Sequence, residues 1–389
     1  MRPYERGTNQ NLTAAFSMNL VSYSGPLPAD FSRHDGGLTQ ISNVRTSLVL
    51  RADRENPSPQ NGDGWTYNHA PMLAHFAGRF WISWLSSPRD EHAAPCRTLL
   101  SNSENGESWA APRELFPPFP DESQRVIMHG RCGFYLARNG VFLALGFYGT
   151  VSGQDGPPFF DHGIGRVARQ IHPDGTLGEI YFVRFNANRP AHIEPQFPFF
   201  DRADFAFREA CESLLADKIK TLEWWDEELQ DAKFFAHFDV AREQNLSAIS
   251  VFERENGQLI GIGKWGRVIF SDDGGASWEN GGVLEGVPTN GAKVWAQKLE
   301  NEKYVLVFNP TSDNSRRWPL ALCTSRDGLQ FCDLRCVVGE VPPRRYDGKF
   351  KDFGPQYVRG IEAGNAPDGA LWLAYSMNKE DIWVARVEI

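Results

Sequence analysis

The sequence predicts an all-β fold built from repeated antiparallel units, and three observations lead to this prediction. Aromatic residues make up 13% of the 389 residues, and the chain contains 36 glycines and 25 prolines. This composition favours strands joined by frequent turns. Pairs of apolar runs around turn dipeptides recur along the chain, and a short motif rich in Asp, Gly and Trp occurs at three positions.

The strand pairs recur roughly every 45–60 residues, which is near the period of a propeller blade. Their turn dipeptides are typical of β-hairpins. The first three pairs turn at Ala77-Gly78, Asn139-Gly140 and Asn256-Gly257, and similar pairs occupy residues 294–310 and 369–389. The residues outside the helical segment described below number about 350, and a blade takes about 50 residues. This division predicts a β-propeller of seven blades, with six as the alternative.

The turn motif supports the propeller. Residues 271–278 match the Asp-box, S-x-D-x-G-x-[ST]-W. Residues 102–109 form a degraded copy with Glu104 in the Asp place, and residues 325–331 form a shortened copy. An Asp-box makes a tight turn between two strands and usually lies far from the active site, so it indicates architecture and not function.

One segment departs from the strand pattern. Within residues 201–236, apolar side chains such as Phe207, Cys211 and Leu214 follow helical spacing, and Asp201 or Asp204 is placed to cap the first turn. We therefore expect one or two short helices inserted between blades. No linker or low-complexity tract interrupts the chain, which predicts a single domain over residues 1–389.

Composition also bounds the partners and the compartment. The net charge of −9 argues against a nucleic-acid surface but is compatible with a local basic pocket. Six cysteines without a CxxC pair suggest buried thiols in a reducing compartment. We see no signal-peptide core and no membrane-length apolar run. We expect no nucleic-acid or membrane partner and a cytoplasmic location, or a secreted or periplasmic one if a leader has been removed.

Two histidines lie at the start of predicted strand pairs. His69 precedes Ala70-Pro71, which holds its loop extended, and Asn68 beside it can form hydrogen bonds. His129 has the same placement, with Arg131 two residues later. Residues that precede the innermost strands of a propeller point towards the central pocket. Each histidine taken alone fits a buried structural residue equally well.

Basic residues near strand ends form a second group. Each alone fits a surface charge or a salt bridge, but together they lie on different predicted blades among Asn, Gly and aromatic residues. A pocket built in this way binds a carboxylate, with Arg supplying bidentate contacts. The predicted substrate-binding set is Asn68, His129, Arg131, Arg184, Lys293, Asn309, Arg317, Arg359 and Lys379. No carboxylate pair stands in a recognisable acid–base motif.

Four segments resemble a known family, the BNR-repeat, sialidase-like propellers that include L-rhamnose-α-1,4-D-glucuronate lyases, first described as rhamnosidases. The segments are residues 64–84, 271–278, 309–331 and 351–387. The resemblance extends from about Gly64 to the C-terminus, and its most specific parts are Tyr-Asn-His at 67–69 and the stretch 375–383.

The resemblance implies a seven-bladed propeller and a pocket that uses one histidine and several arginines. The histidine corresponds to His69, and Arg317 and Arg359 correspond best to the arginines that bind a substrate carboxylate. Ala70 stands where the family often has a second histidine, which leaves specificity open. Some related propellers carry a central calcium ion, so a structural calcium is an expectation, although its ligands cannot be placed. No other cofactor is required.

The residue inventory fits β-elimination. Removing a 4-O-linked sugar from a glucuronate requires loss of the C5 proton, and positive charge must stabilise the resulting enolate. A histidine can act as acid or base near neutrality. We therefore predict a polysaccharide lyase in which His69 is catalytic, and which removes a terminal sugar, L-rhamnose, from an anionic oligo- or polysaccharide.

Two alternatives stay open. The first is an exo-glycoside hydrolase of the rhamnosidase or sialidase type, although the Arg-Ile-Pro segment usual in sialidases is absent. The second is a non-catalytic carbohydrate-binding propeller whose aromatic residues stack on sugars.

Overall fold

The computed structural model describes residues 20–26, 30, 32–91, 93–119, 126–151, 158–159, 163–186, 189, 191, 193–225, 246–362 and 364–389. At residues 126, 127, 129–132, 151, 158, 159, 224 and 225 the description covers the backbone alone.

Twenty-three strands and two α-helices make up the described fold. The strands are β1 (Ser22–Tyr23), β2 (Thr39–Gln40), β3 (Val44–Leu50), β4 (Tyr67–Phe76), β5 (Arg79–Ser87), β6 (Arg97–Ser103), β7 (Arg113–Phe116), β8 (Val126–Leu136), β9 (Phe142–Val151), β10 (Pro158–Phe159), β11 (Gly165–Ile171), β12 (Leu177–Phe185), β13 (Ser250–Glu253), β14 (Leu259–Ile262), β15 (Arg267–Ser271), β16 (Glu279–Val283), β17 (Trp295–Lys298), β18 (Tyr304–Phe308), β19 (Leu320–Ser325), β20 (Gln330–Val338), β21 (Pro355–Gly360), β22 (Leu371–Met377) and β23 (Asp381–Val387). The helices are α1 (Phe205–Ala216) and α2 (Lys218–Trp225).

The strands form five blades in the described part of the chain. In order from the innermost strand, they are β4-β5-β6-β7, β8-β9-β11-β12, β13-β14-β15-β16, β17-β18-β19-β20 and β21-β22-β23-β3, referred to as blades 1 to 5. β10 pairs with β9, and β1 and β2 pair with β20. The innermost strands contact one another, as β4 does with β8 and β21. The all-β propeller prediction is confirmed.

The predicted count of seven blades, or six, is wrong. The count assumed that nearly every residue outside the helices belongs to a blade. Long connections between the described strands take up many of them, for example residues 339–354 between blades 4 and 5. The described residues before β4 add only β3 to a blade core, since β1 and β2 are two-residue strands on the outside of blade 4.

The ring is closed by the two ends of the described chain. β3 is the outermost strand of blade 5 and pairs antiparallel with β23, in a register from Ile382↔Leu50 to Val387↔Val44. Five hydrophobic clusters each join two neighbouring blades. Apolar burial of this kind, at about 25 cal/mol per Å², stabilises the ring.

The predicted helical insertion is present where it is described. α1 begins after Asp204, whose side chain accepts a hydrogen bond from the backbone N–H of Phe207 at 2.9 Å. This satisfies one of the free N–H groups at the helix start. Phe207, Cys211 and Leu214 face the core between blades 2 and 3. Of the predicted range 201–236, residues 226–236 lie outside the described residues.

The three motif turns all connect the third and fourth strands of their blades. Ser271 donates to Asp273 at 2.8 Å, and the carboxylate of Asp273 accepts the backbone N–H of Ser277 at 2.8 Å. In the copy on blade 1, Asn105 accepts the corresponding backbone hydrogen bonds, so Asn105 and not Glu104 occupies the Asp place. These turns lie at the end of the propeller opposite the starts of the innermost strands.

The five described cysteines are all free thiols. Cys96, Cys211, Cys323 and Cys336 are buried, as expected, whereas Cys332 is exposed. Among the described residues, no helix has the length and apolar character needed to cross a membrane.

A cationic cluster at the centre of the propeller

Six side chains meet where the innermost strands begin. His69 lies on β4 and Tyr357 on β21, and the other four lie on loops at the same end of the blades. The strands of a blade are antiparallel, so the first strand starts and the second strand stops on this side of the propeller. The four loop residues are Lys264, between β14 and β15; Lys293, just before β17; Arg317, between β18 and β19; and Lys379, between β22 and β23. These six side chains are named the Tyr357 cluster.

β-Bulges bring His69 and Tyr357 together. The register of β4 against β5 shifts between His69 and Met72, and that of β21 against β22 shifts between Gln356 and Arg359. Ala70 and Tyr357 have φ values of 51° and 57°, a region that costs non-glycine residues energy and recurs at functional sites. The ring centroids of His69 and Tyr357 lie 4.1 Å apart, and His69 is completely buried.

Four cationic groups surround the Tyr357 ring. The Lys264 ammonium donates to the Tyr357 hydroxyl at 2.7 Å and lies 4.9 Å from the ring centroid. The distances from the Tyr357 ring centroid to the other three cationic groups are 5.3 Å for Lys293, 5.4 Å for Arg317 and 5.9 Å for Lys379. Lys293, Arg317 and Lys379 are buried. Buried cations at this density are costly unless negative charge balances them.

Two carboxylates contact the cluster. Asp352 lies 3.0 Å from the Lys379 ammonium and 3.1 Å from the Arg317 guanidinium. Glu91 lies 3.0 Å from the same Lys379 nitrogen. The two carboxylates therefore position the cations that they contact. The two carboxylates and the four cationic side chains together carry a net positive charge.

His69, on blade 1, is fixed by a hydrogen bond to blade 5. Its Nδ1 and the Ser376 hydroxyl are 2.8 Å apart. The neighbouring Asn68 has a different environment: its Nδ2 donates to the carbonyl oxygens of Trp65 and Glu380 at 2.9 and 3.0 Å. Its Oδ1 accepts from the Trp84 indole at 3.1 Å. Asn68 therefore holds the fold together beside the cluster.

The structure brings together four of the predicted site residues, His69, Lys293, Arg317 and Lys379. Asn309 lies nearby, but its Nδ2 donates to the carbonyl oxygens of Pro319 and Pro355, so it links the Arg317 loop to β21. His129 and Arg131 lie on β8, and their side chains are outside the described residues.

Two predicted arginines lie elsewhere. Arg184 is on β12, the outermost strand of blade 2. Arg359 is on the innermost strand β21, where its Nη1 donates to the carbonyl oxygen of Val294 at 2.6 Å and its Nη2 to those of Ala248 and Ile249 at 3.3 and 3.4 Å. Arg359 thus braces the innermost region of blades 3, 4 and 5, and is not paired with Arg317.

A cavity lies between the innermost strands, away from the Tyr357 cluster. Its volume is roughly 600 Å³, and its walls include His75, Trp295, Arg359 and the ion pair of Lys220 with Glu362. Burial lowers the pKa of His75. None of the six residues of the Tyr357 cluster lines this cavity.

A calcium site finds no support in the described part of the chain. No group of three or more His, Cys, Asp or Glu side chains there is arranged to hold a metal ion.

The sequence prediction did not include Tyr357, Lys264, Asp352 or Glu91. The available signal for Tyr357 was its place at the start of a strand within residues 351–387, the same placement that singled out His69. Lys264 lies in the short loop between β14 and β15. A lysine in such a loop is as readily explained by a surface charge as by a role in a site.

The family and the fold are established by comparison with known proteins. Residues 19–240 match the family model described as "Beta-prop_BT_1020:-like, N-terminal beta propeller". A solved structure described as "Sialidase" is 35% identical and has a TM-score of 0.85. It matches 95% of this chain, which spans only 35% of that protein. No curated protein matches the chain.

A Trypanosoma rangeli sialidase, solved with 2-keto-3-deoxy-D-glycero-D-galacto-2,3-difluoro-nononic acid, shows the shared fold at 11% identity. Its TM-score is 0.52, over 88% of this chain and 58% of that one. The family model covers more than half of the 389 residues. The chain therefore belongs to the BT_1020-like family of N-terminal β-propellers.

Proposed function

We propose that the chain is a carbohydrate-active enzyme that hydrolyses the glycosidic bond of a terminal acidic sugar. The observation that carries the proposal is the set of four cationic groups around one buried tyrosine, Tyr357, at the centre of the propeller. The 35% identity to a structure described as "Sialidase" supports the same class of substrate.

The cations bind the substrate carboxylate. Arg317 contributes a delocalised positive charge, and Lys293 and Lys379 add point charges. Asp352 and Glu91 hold Arg317 and Lys379 in place. Because the site is buried, each of these interactions is stronger than it would be in water. The substrate class is an oligo- or polysaccharide that ends in an anionic sugar.

Tyr357 is the nucleophile in this proposal, as a tyrosine is in sialidases. Its oxygen attacks the anomeric carbon and the bond from that carbon to the leaving oxygen breaks. The proton lost by the Tyr357 hydroxyl ends on the leaving oxygen, which departs as an alcohol. Water then breaks the bond between tyrosine and sugar, and the phenol is restored. Negative charge that develops on the Tyr357 oxygen is stabilised by the Lys264 ammonium, 2.7 Å away. Two successive displacements retain the anomeric configuration.

His69 orients Tyr357 in the hydrolytic reaction. Its ring packs against the Tyr357 ring, and Ser376 fixes its rotation. This role differs from that of an acid–base catalyst, and the difference can be measured. Substitution of His69 lowers hydrolysis by a moderate factor, because the nucleophile and the cations stay in place.

Elimination from a uronate is the second candidate. The observation that favours it is the contact of His69 with Tyr357 among four cations, without a carboxylate acid–base pair in the cluster. In this reaction His69 removes the C5 proton, the cations neutralise the carboxylate, and Tyr357 protonates the leaving oxygen. A terminal L-rhamnose on glucuronate is the substrate that fits this route.

Product analysis distinguishes the two reactions. Acidic-sugar glycosides are incubated in ¹⁸O-labelled water, including sialyl-, 3-deoxy-2-ketoaldonyl- and glucuronyl-oligosaccharides and rhamnosyl-α-1,4-glucuronate. Hydrolysis places ¹⁸O on the anomeric carbon of the released sugar with retained configuration. Elimination gives ultraviolet absorbance from a C4–C5 double bond conjugated with the carboxylate. Cleavage of neutral glycosides alone would contradict both reactions.

Two substitutions test the assigned roles. Tyr357→Phe keeps the ring packing and removes the hydroxyl, and it should lower turnover at least about a thousandfold. Tyr346→Phe is the matched control, because Tyr346 also has three cationic neighbours, Arg54, Arg345 and Lys351, and lies outside the cluster. Unchanged turnover in Tyr357→Phe would refute both reactions. His69→Gln reduces hydrolysis moderately but abolishes elimination.

A further inference from the structure

We propose that Trp265 and Phe350 form an aromatic rim that binds the second sugar of the substrate, the one to which the terminal acidic sugar is attached. This inference rests on the proposed function and extends it, because it assigns a carbohydrate leaving group. The two residues, named the aromatic rim, lie on loops that also carry residues of the cationic site.

Backbone conformation singles out these residues. Among the described non-glycine residues, three aromatic ones have positive φ: Trp265 at 62°, Phe350 at 60° and Tyr357 at 57°. Bulky side chains rarely adopt this conformation, which costs about 1–3 kcal/mol. Glycine fits such a position without strain. Tyr357 is the centre of the cluster, so the same backbone feature recurs at the two loops beside it.

Trp265 is held in place next to a residue of the cluster. It directly follows Lys264, whose ammonium binds the Tyr357 hydroxyl. Its backbone N–H donates to the carbonyl oxygen of Asn290 at 2.9 Å. The indole packs against Gly291, where an added Cβ would come within 2.8 Å of it. The residue is nevertheless 45% exposed, so an ordered indole is presented to solvent.

Phe350, like Trp265, is exposed and lies close in sequence to a residue at the cluster. It is 49% exposed and lies two residues before Asp352, which contacts both Arg317 and Lys379. Its carbonyl oxygen accepts the backbone N–H of Asp352 at 3.1 Å. The turn that places Asp352 against the cations therefore also places the Phe350 ring at the surface.

The chemistry of the two regions is complementary to a glycan with an acidic end. The cations suit the carboxylate of the terminal sugar, whereas exposed aromatic faces suit the apolar face of a neutral sugar ring. Flat, rigid aromatic side chains lose little entropy on binding. Fixing the leaving sugar at the rim orients the glycosidic bond towards Tyr357, and binding energy from this remote group then raises the rate.

The first test compares two substrates with the same acidic sugar, a methyl glycoside and a lactoside. Trp265→Ala should lower kcat/KM for the lactoside about tenfold, which corresponds to about 1.4 kcal/mol, and leave the methyl glycoside unchanged. Trp265→Phe should recover most of the loss. Phe205→Ala is the control, because Phe205 is exposed at the start of α1. Equal losses on both substrates, or none on the lactoside, would overturn the proposal.

A second test does not depend on the reaction. Binding of the neutral tetrasaccharides cellotetraose, maltotetraose and β-1,4-galactotetraose is measured by ligand-observed NMR. The wild type should bind at least one of them, and Trp265→Ala should lose that binding while Phe205→Ala keeps it. Absence of binding to all three, or binding that survives Trp265→Ala, contradicts the rim. If binding is lost as expected but no acidic glycoside is cleaved, the rim stands and the hydrolytic reaction fails.

Discussion

Asn68→Ala is expected to destabilise the protein, although Asn68 is the immediate neighbour of His69. The amide makes three hydrogen bonds inside the protein, two as donor to the carbonyl oxygens of Trp65 and Glu380 and one as acceptor from the Trp84 indole. The Glu380 contact joins the first blade to the last. The substitution removes all three hydrogen bonds, and those to Glu380 and Trp84 are fully buried.

The magnitude follows from these contacts. A typical hydrogen bond contributes about 1 kcal/mol net, and a buried group left without a partner costs about 1–3 kcal/mol. Asn68→Ala should therefore lower the free energy of unfolding by about 3–5 kcal/mol, a large value for a single substitution. Asn280→Ala is the control, because Asn280 is exposed and accepts one hydrogen bond from Gly282; it should cost less than about 0.5 kcal/mol.

Urea unfolding followed by circular dichroism measures both variants. A double-mutant cycle with Trp84→Phe isolates the indole hydrogen bond, and the coupling between the two substitutions should be about 1–2 kcal/mol. Wild-type stability in Asn68→Ala, together with a raised KM for an acidic glycoside, would refute the reasoning. Asn68 would then bind substrate, as the sequence suggested.

Two further predictions concern the turns. Gly106→Ala should lower the free energy of unfolding by more than about 2 kcal/mol, because an added Cβ would lie 2.3 Å from the Trp372 indole. The control is Gly78→Ala, which has a similar φ but open space around it and should cost only about 1 kcal/mol. Equal costs for the two substitutions would disprove the steric cause. Hydrogen bonds from Ser277 and Ser271 lower the pKa of Asp273 to about 2 from 3.8, so its contribution to stability is present above about pH 4 and lost as the pH falls through about 2. Urea midpoints of wild type and Asp273→Asn should converge between pH 4 and pH 2, and a pH-independent difference would contradict this assignment.

The hairpins were predictable because their signals are local. The turns at Ala77-Gly78, Asn139-Gly140 and Asn256-Gly257 join β4 to β5, β8 to β9 and β13 to β14, as predicted. The number of blades was not predictable from spacing, because long connections such as residues 339–354 occupy positions that the spacing assigned to strands. The closing strand was not predictable either, because β3 pairs with β23 across most of the chain. A single strand taken from the N-terminus to close the ring leaves no local signal in its sequence.

The site was predictable only in part for a related reason. His69, Lys293, Arg317 and Lys379 were identified from their places near strand ends. Their convergence on Tyr357 depends on a bulge in β21 that sequence alternation does not reveal. The same bulge separates Tyr357, in the cluster, from Arg359, which braces neighbouring strands.

Neighbouring residues on one strand also take different roles. Successive side chains of a strand point to opposite faces, and here His69 contacts Tyr357 of blade 5 whereas the Asn68 side chain reaches Trp84 of its own blade. Proximity to His69 in the sequence therefore did not place the Asn68 side chain in the cluster.

We propose that the Tyr357 cluster binds the carboxylate of an acidic sugar. The most direct test is the affinity of the wild type for sialic, glucuronic, galacturonic and 3-deoxy-2-ketoaldonic acids, each compared by calorimetry with its counterpart whose carboxylate is reduced to hydroxymethyl. At least one acid should bind about tenfold or more tightly than its reduced counterpart, with an advantage that shrinks in Arg317→Ala and at high salt. Equal affinity within every pair would contradict the account.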